Sequence, residues 1–149
     1  MDNNEILNHL VNGLTLPEDS LAEIFALGGE EVSMADALAR TQRIDTTGAL
    51  PCTAEQLGGF LDGLIVHKRG PTQNSASQEA QPLTNNVILK KLRIALMLKE
   101  DDVLRILDAG GSPTTSRALS PLFRKPANKR FRSCSDTVLR SFLKGLTAS

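Results

Sequence analysis

The chain of 149 residues has no tryptophan, no tyrosine and no long apolar run. No segment approaches the roughly 20 apolar residues that cross a bilayer, so we expect no membrane-spanning helix. Cys52, Cys134, His9 and His67 lack the spacing of metal ligands, which argues against a zinc site. No phosphate-binding loop ending in Gly-Lys-Ser or Gly-Lys-Thr is present. The sequence therefore predicts no metal and no cofactor.

The sequence also lacks a catalytic constellation, because no nucleophile, base and orienting partner can be assembled from it. We therefore expect a protein that is not an enzyme. Residues 1–5 carry neither the basic region nor the apolar region of a signal peptide. Two cysteines are few for a disulfide framework, which fits a reducing compartment. We expect a cytoplasmic protein with no membrane partner.

The chain consists of two copies of one domain. Residues 3–67 align without a gap on residues 85–149, with 18 identities in 65 pairs. Most of the identities are core positions or helix boundaries, so the repeat informs the fold more than the chemistry. The identical pairs are Asn3/Asn85, Asn4/Asn86, Ile6/Ile88, Leu7/Leu89, Leu10/Leu92, Leu14/Leu96, Leu16/Leu98, Glu18/Glu100, Asp19/Asp101, Ile24/Ile106, Gly28/Gly110, Gly29/Gly111, Cys52/Cys134, Leu57/Leu139, Phe60/Phe142, Leu61/Leu143, Gly63/Gly145 and Leu64/Leu146.

Each copy carries four segments with helical periodicity, and no segment alternates like a strand. Asp2, Thr84, Ser33, Thr115, Thr53 and Ser135 are the expected N-caps. Gly28-Gly29 and Gly110-Gly111 are the expected left-handed terminators of the second helices. Pro121 should kink or shift the third helix of the second copy. We predict an all-α fold of two tandem homologous repeats, each of about four helices, with a helix-turn-helix-like layout and pseudo-twofold packing.

The predicted organisation has three parts. Residues 1–70 form a first helical repeat, residues 71–82 a linker, and residues 83–149 a second helical repeat. The linker is polar, rich in turn-forming residues and without apolar periodicity.

The two copies differ most in charge. Residues 1–70 hold 11 acidic and 4 basic residues, whereas residues 71–149 hold 6 and 13, so the halves carry net charges of −7 and +7. This asymmetry favours an acidic partner for the second half. The alternative is that the halves neutralise each other, either across an internal interface or in a head-to-tail oligomer.

One stretch of the second copy combines six basic residues with one aromatic residue. Cations bind phosphates, and an aromatic ring among them can stack on a base. The aligned stretch of the first copy, residues 42–50, is nearly uncharged. A solvated loop paired with the acidic first copy is the alternative interpretation. The candidate nucleic-acid-binding residues are Arg117, Arg124, Lys125, Lys129, Arg130, Phe131 and Arg132.

Two further groups carry less distinctive chemistry. Cys52 and Cys134 each precede a predicted N-cap, where a helix dipole can lower a thiol pKa, but a buried structural role is the favoured interpretation. Lys90, Lys91 and Arg93 can extend a basic surface, although a simply solvated helix face is favoured for them.

Short motifs in both copies carry a family resemblance. They are residues 82–96, 122–126, 134–136 and 142–146 in the second copy, and 3–7, 27–29, 60–65 and 68–70 in the first. Through these motifs the chain resembles the YehS-like family of bacterial proteins of unknown function, over essentially its whole length. The resemblance implies a soluble bacterial tandem-repeat protein and implies no activity.

Together these features predict a non-enzymatic nucleic-acid-associated binding or regulatory module that binds DNA or RNA through the second repeat. The alternative is a protein–protein adaptor or oligomeric scaffold in which acidic and basic repeats pair. Its partner would be a second copy of the chain or an unidentified protein. Head-to-tail association that weakens as salt rises is the signature of this alternative.

Overall fold

The computed structural model describes residues 2–70 and 83–148, and all regular structure in these ranges is helical. The linker prediction at 71–82 lies outside the described residues. None of the helices in the described ranges is both long and apolar enough to cross a bilayer. The all-α prediction is confirmed. The α-helices are α1 (Asn3–Gly13), α2 (Glu18–Leu27), α3 (Met34–Ala39), α4 (Ala54–Arg69), α5 (Asn85–Ala95), α6 (Glu100–Ala109), α7 (Ser116–Leu119) and α8 (Asp136–Ala148).

The predicted N-caps are in place in both repeats. The side chain of Asp2 accepts a hydrogen bond from the backbone N–H of Glu5 at 2.7 Å, and Thr84 does the same for Val87 at 3.2 Å. Thr53 and Gln56 form a full capping box at the start of α4. Ser33, Thr115 and Ser135 each accept from the backbone three residues on. Local sequence signals therefore set where these helices begin.

The third helix differs between the repeats at Pro121. In the first repeat α3 has six residues, whereas α7 has four and passes into a 3-10 helix over Ser120–Phe123. Pro121 has no N–H to continue the α-helical bonding, which is the effect expected from its position. Both repeats therefore have a short third helix, but α7 is a single turn.

The opening helix of each repeat packs against the closing helix of the other repeat. Helix α1 lies on α8, and α5 lies on α4. Within each repeat, α2 packs on α4 and α6 packs on α8. The apolar stripes of all these helices meet in one continuous core, in which Leu7, Leu10, Leu89 and Leu92 are fully buried. The predicted pseudo-twofold packing is confirmed.

Glycines allow the backbones of paired helices to touch. A Cβ added at Gly63 of α4 would lie 1.7 Å from the carbonyl oxygen of Ile24 in α2. A Cβ added at the equivalent Gly145 of α8 would lie 1.9 Å from that of Ile106 in α6. Since no side chain fits in these gaps, glycine is required at both crossings.

The two glycines of each Gly-Gly pair after α2 and α6 have different roles. Gly29 and Gly111 have φ angles of 90° and 98°, so they are the left-handed terminators expected from the sequence. Gly28 and Gly110 have negative φ angles of −92° and −85°. A Cβ on either would lie within 1.7 Å of a carbonyl oxygen in the closing helix of its repeat. The first glycine of each pair is therefore needed for close packing rather than for termination.

We expect Gly63→Ala and Gly145→Ala each to lower the free energy of unfolding by about 2 kcal/mol or more, because the methyl group forces the helices apart. Gly58→Ala in α4 is the matched control, since nothing lies within 4 Å of the added Cβ. That variant should be neutral or more stable by up to about 1 kcal/mol. Urea unfolding followed by far-UV circular dichroism measures all three. Equal stability of the Gly63→Ala and Gly58→Ala variants would contradict the close-approach argument.

Candidate nucleic-acid interface

Five of the six predicted cations lie in the segment between the 3-10 helix and α8, and the sixth precedes that 3-10 helix. Arg117 is on α7, and the other five lie in residues 124–132, here called the basic loop. All six residues are exposed. No ion pair within residues 2–70 and 83–148 involves any of them. The basic loop therefore presents positive charge that no carboxylate of the described chain neutralises.

Two consecutive turns give the basic loop a defined backbone. The N–H of Asn128 donates to the carbonyl of Lys125 at 2.9 Å, and the N–H of Phe131 donates to the carbonyl of Asn128 at 3.0 Å. Pro126 occupies the second position of the first turn, where its fixed φ is favourable. The side-chain oxygen of Asn128 accepts from the N–H of Arg130 at 2.8 Å. The loop is thus ordered by its own hydrogen bonds.

A buried asparagine on α5 holds both ends of the basic loop. Asn86 is 9% exposed, and its Nδ2 donates to the carbonyls of Leu122 at 2.9 Å and Arg132 at 2.8 Å. Its Oδ1 accepts from the N–H of Cys134 at 2.8 Å. The neighbouring Asn85 donates to the carbonyl of Cys134 at 3.1 Å. One opening helix therefore closes the loop at its base.

The first repeat builds the same frame. Asn4 donates to the carbonyls of Gln42 and Leu50 and accepts from the N–H of Cys52, at 2.9, 2.8 and 2.8 Å. The two turns also recur within residues 42–50, here called the first-repeat loop. Its two charged residues, Arg43 and Asp45, pair with each other at 3.6 Å. The cations and Phe131 are therefore additions to a frame that both repeats share.

Sequence reasoning identified the Asn-Asn pair as an identity between repeats but not its role. A signal was present, because asparagine is a poor helix former and yet two occur together in the first turn of α1 and of α5. What the asparagines bind was not readable, since the bonded groups of Asn86 lie 36 to 48 residues away in the chain.

Ion pairs between the repeats use other residues than the basic loop. Lys91 on α5 pairs with Asp62 on α4. Arg140 on α8 donates from Nε to Oε2 of Glu5 on α1 at 3.0 Å, and Nε2 of His9 lies 3.8 Å from the same oxygen. The hydrogen bond to Glu5 also raises the pKa of Arg140. Internal neutralisation, one of the two interpretations of the charge asymmetry, thus applies to Lys91 and Arg140.

The favoured interpretation of the basic face of α5 is wrong for two of its three residues. Lys91 is half-buried in its ion pair with Asp62. The guanidinium carbon of Arg93 lies 4.7 Å from the ring centroid of Phe123, and its Nε donates to the carbonyl of Leu98 at 3.2 Å. Only Lys90 is exposed. A helix-surface pattern could not show that both cations meet partners from other elements.

Both cysteines are buried, free thiols at the base of the two loops. Each Sγ points to the carbonyl of the residue that follows it, at 3.5 Å for Cys52 and 3.6 Å for Cys134. Burial raises the pKa of both thiols to about 11. The thiols are therefore packing groups rather than activated nucleophiles, as the favoured interpretation held.

We expect Asn86→Ala to loosen the basic loop, because two carbonyls and one N–H lose their buried partner. Hydrogen-exchange mass spectrometry should show faster exchange in residues 124–134. The free energy of unfolding should fall by about 2 kcal/mol or more. Asn4→Ala is the matched variant and should act on residues 42–52 instead. Unchanged exchange in both loops would show that the asparagines do not hold them.

Native Cys52 and Cys134 should react slowly with a disulfide reagent such as DTNB. A thiol with a pKa of about 11 holds about a hundred-fold less thiolate at pH 8 than one at the ordinary 9.0. Both thiols should react rapidly once the chain is unfolded in urea. Fast reaction of either thiol in the folded protein would contradict its burial. The single variants Cys52→Ser and Cys134→Ser assign the rates.

Comparison with known proteins agrees with the duplicated architecture. The family described as "Protein of unknown function (DUF1456)" matches this chain twice, at residues 3–70 and 85–149. "Uncharacterized protein YehS" of Escherichia coli (strain K12) is 36% identical over 149 residues, covering 99% of this chain and 96% of the relative. No solved structure matches the chain. The expected resemblance is confirmed: the chain belongs to the YehS-like family of proteins of unknown function, DUF1456.

Proposed function

We propose that the protein is a non-enzymatic binding or regulatory module that takes nucleic acid at the basic loop and Arg117. The observation that carries this proposal is the group of six exposed cations without an intramolecular counter-charge among the described residues. Five of them project from a loop whose backbone is hydrogen-bonded at both ends. Neutralising phosphates along a strand is the chemistry that such an arrangement supports.

The first-repeat loop provides a comparison inside the same molecule. Asn4 makes the same hydrogen bonds there that Asn86 makes in the second repeat, and each set is here called the asparagine clamp. The first-repeat loop also has the same two turns but no excess charge. The cations of the second repeat are therefore not required to build the loop. The carboxylates of Asp62 and Glu5, which meet the second repeat, are paired with Lys91 and Arg140. Both facts favour an external polyanion as the partner of the loop.

The test uses the full chain, because α5 and α8 each pack on a helix of the first repeat and an isolated second repeat would lose those contacts. The loop variant carries Arg124→Gln, Lys125→Gln, Lys129→Gln and Arg130→Gln. The control variant carries Lys68→Gln, Arg69→Gln, Lys99→Gln and Lys144→Gln, four exposed residues outside the loop with the same total charge. Circular dichroism first verifies that both variants are folded.

Fluorescence anisotropy of labelled single-stranded DNA, duplex DNA and RNA is measured from 50 to 200 mM salt. We expect wild-type binding with a log–log salt slope of about −4 to −5, for roughly five phosphate contacts. The loop variant should lose at least about ten-fold in affinity and most of that slope, because each phosphate contact contributes a slope of about −1. The control variant should bind like the wild type.

Absence of binding by the wild-type protein, or equal loss in both variants, would overturn the proposal. The adaptor function would then be the one to test, with acidic and basic repeats of different chains paired. Its readout is the molar mass of the wild-type protein by light scattering across the same salt range.

A further inference from the structure

We infer that the ligand of this site is a single strand, with one base stacked on Phe131 and phosphates on the arginines beside it. The inference rests on the proposed function and narrows it to a class of nucleic acid. It is carried by the position of Phe131 in the basic loop and by the shortness of α7. In this arrangement, Arg117 and the remaining loop cations bind the phosphates on either side of the stacked base.

Phe131 is an aromatic residue with no role in the core. Among the described residues, the partly buried apolar side chains that pack on the core include Leu122 and Phe123 but not Phe131. Its equivalent in the first-repeat loop is Ala49, so the shared frame forms without an aromatic ring at this position. A partly exposed phenylalanine between two exposed arginines is a suitable platform for a base.

The backbone on both sides of Phe131 is fixed. Arg130 and Phe131 donate their N–H groups to the side chain and the carbonyl of Asn128, at 2.8 and 3.0 Å. Arg132 donates its N–H to the carbonyl of Pro121 at 3.2 Å, and its own carbonyl accepts from Asn86 at 2.8 Å. Because the backbone here is already ordered, little backbone freedom is lost when a base stacks on the ring, which favours binding.

The same elements fit a duplex poorly. Reading a duplex in its major groove takes a helix or a two-stranded ribbon, whereas α7 has four residues and is about 6 Å long. Helix α3, its equivalent, has six residues and lies in the acidic repeat. In a duplex the base faces are covered by their neighbours, so Phe131 has no face to stack on. A single strand offers both its bases and its phosphates.

The experiment uses Phe131→Trp in the full chain. The chain has no natural tryptophan, so the introduced indole is the only one and reports its own surroundings. Its emission is followed while the variant is titrated with a mixed-sequence single-stranded DNA 12-mer, with the matching duplex and with inorganic polyphosphate. Polyphosphate supplies the charges without bases. Anisotropy with the labelled DNA is measured in parallel for the wild type, Phe131→Trp and Phe131→Leu.

We expect the single strand to quench the indole, and polyphosphate to bind without comparable quenching. Phe131→Trp should retain affinity for the single strand, whereas Phe131→Leu should lose at least about five-fold, the effect of removing one stacked base. Binding of the duplex should be weaker and insensitive to Phe131→Leu. These two variants have the same charge, so the difference between them isolates the aromatic face.

The two proposals fail in different ways. Single-strand binding without quenching, with Phe131→Leu equal to the wild type, would overturn the stacking inference and leave the proposed function standing. Duplex bound as tightly as the single strand would also overturn it. If the wild type binds neither DNA nor RNA, the proposed function itself fails whether or not polyphosphate binds, and this inference fails with it.

Discussion

A single buried amide in each repeat ties the opening helix to the loop that precedes the closing helix. Asparagine suits this position because one short side chain offers two N–H donors and one acceptor. Asn86 uses both functions at once, on carbonyls at the two ends of the basic loop and on the N–H of Cys134. The helix that carries Asn86 is itself packed on α4 of the other repeat. The position of the loop therefore depends on contacts made across the whole molecule.

Because the clamp bonds only to backbone groups, it places no demand on the side chains of the loop. Because the backbone bonds and the side chains are independent, two loops with the same hydrogen bonds can carry different charge, one neutral and one strongly basic. The first-repeat loop pairs Arg43 with Asp45, and the basic loop presents five cations. Charge at the boundary between the repeats is instead matched by Asp62 with Lys91 and Glu5 with Arg140. The charges that pair between the repeats and the unpaired charges of the basic loop thus belong to different residues.

The sequence predicted the helices, their caps and the duplication, because periodicity, capping residues and internal identity are local signals. It did not predict which helices meet. An apolar stripe such as Leu7 and Leu10 shows which face is buried, but it does not show that the neighbour is α8 rather than α4. Gly63 and Gly145 were visible as identities, yet only the approach of Ile24 and Ile106 explains why a side chain is excluded.

The residues of the candidate site were predictable from the sequence, but their spatial arrangement was not. Six cations and Phe131 are evident in the sequence, whereas their lack of internal partners depends on where every carboxylate of the described chain lies. The total charge is balanced, but the two repeats act on a polyanion in opposite directions. A polyanion near the first repeat meets a net charge of −7, while the basic loop attracts it over a Debye length of about 10 Å at 0.1 M salt. The acidic repeat thus disfavours non-specific contacts elsewhere on the molecule. Under the proposed function, a polyanion therefore binds at the loop and Arg117, and the salt dependence of that binding is set by the few cations there.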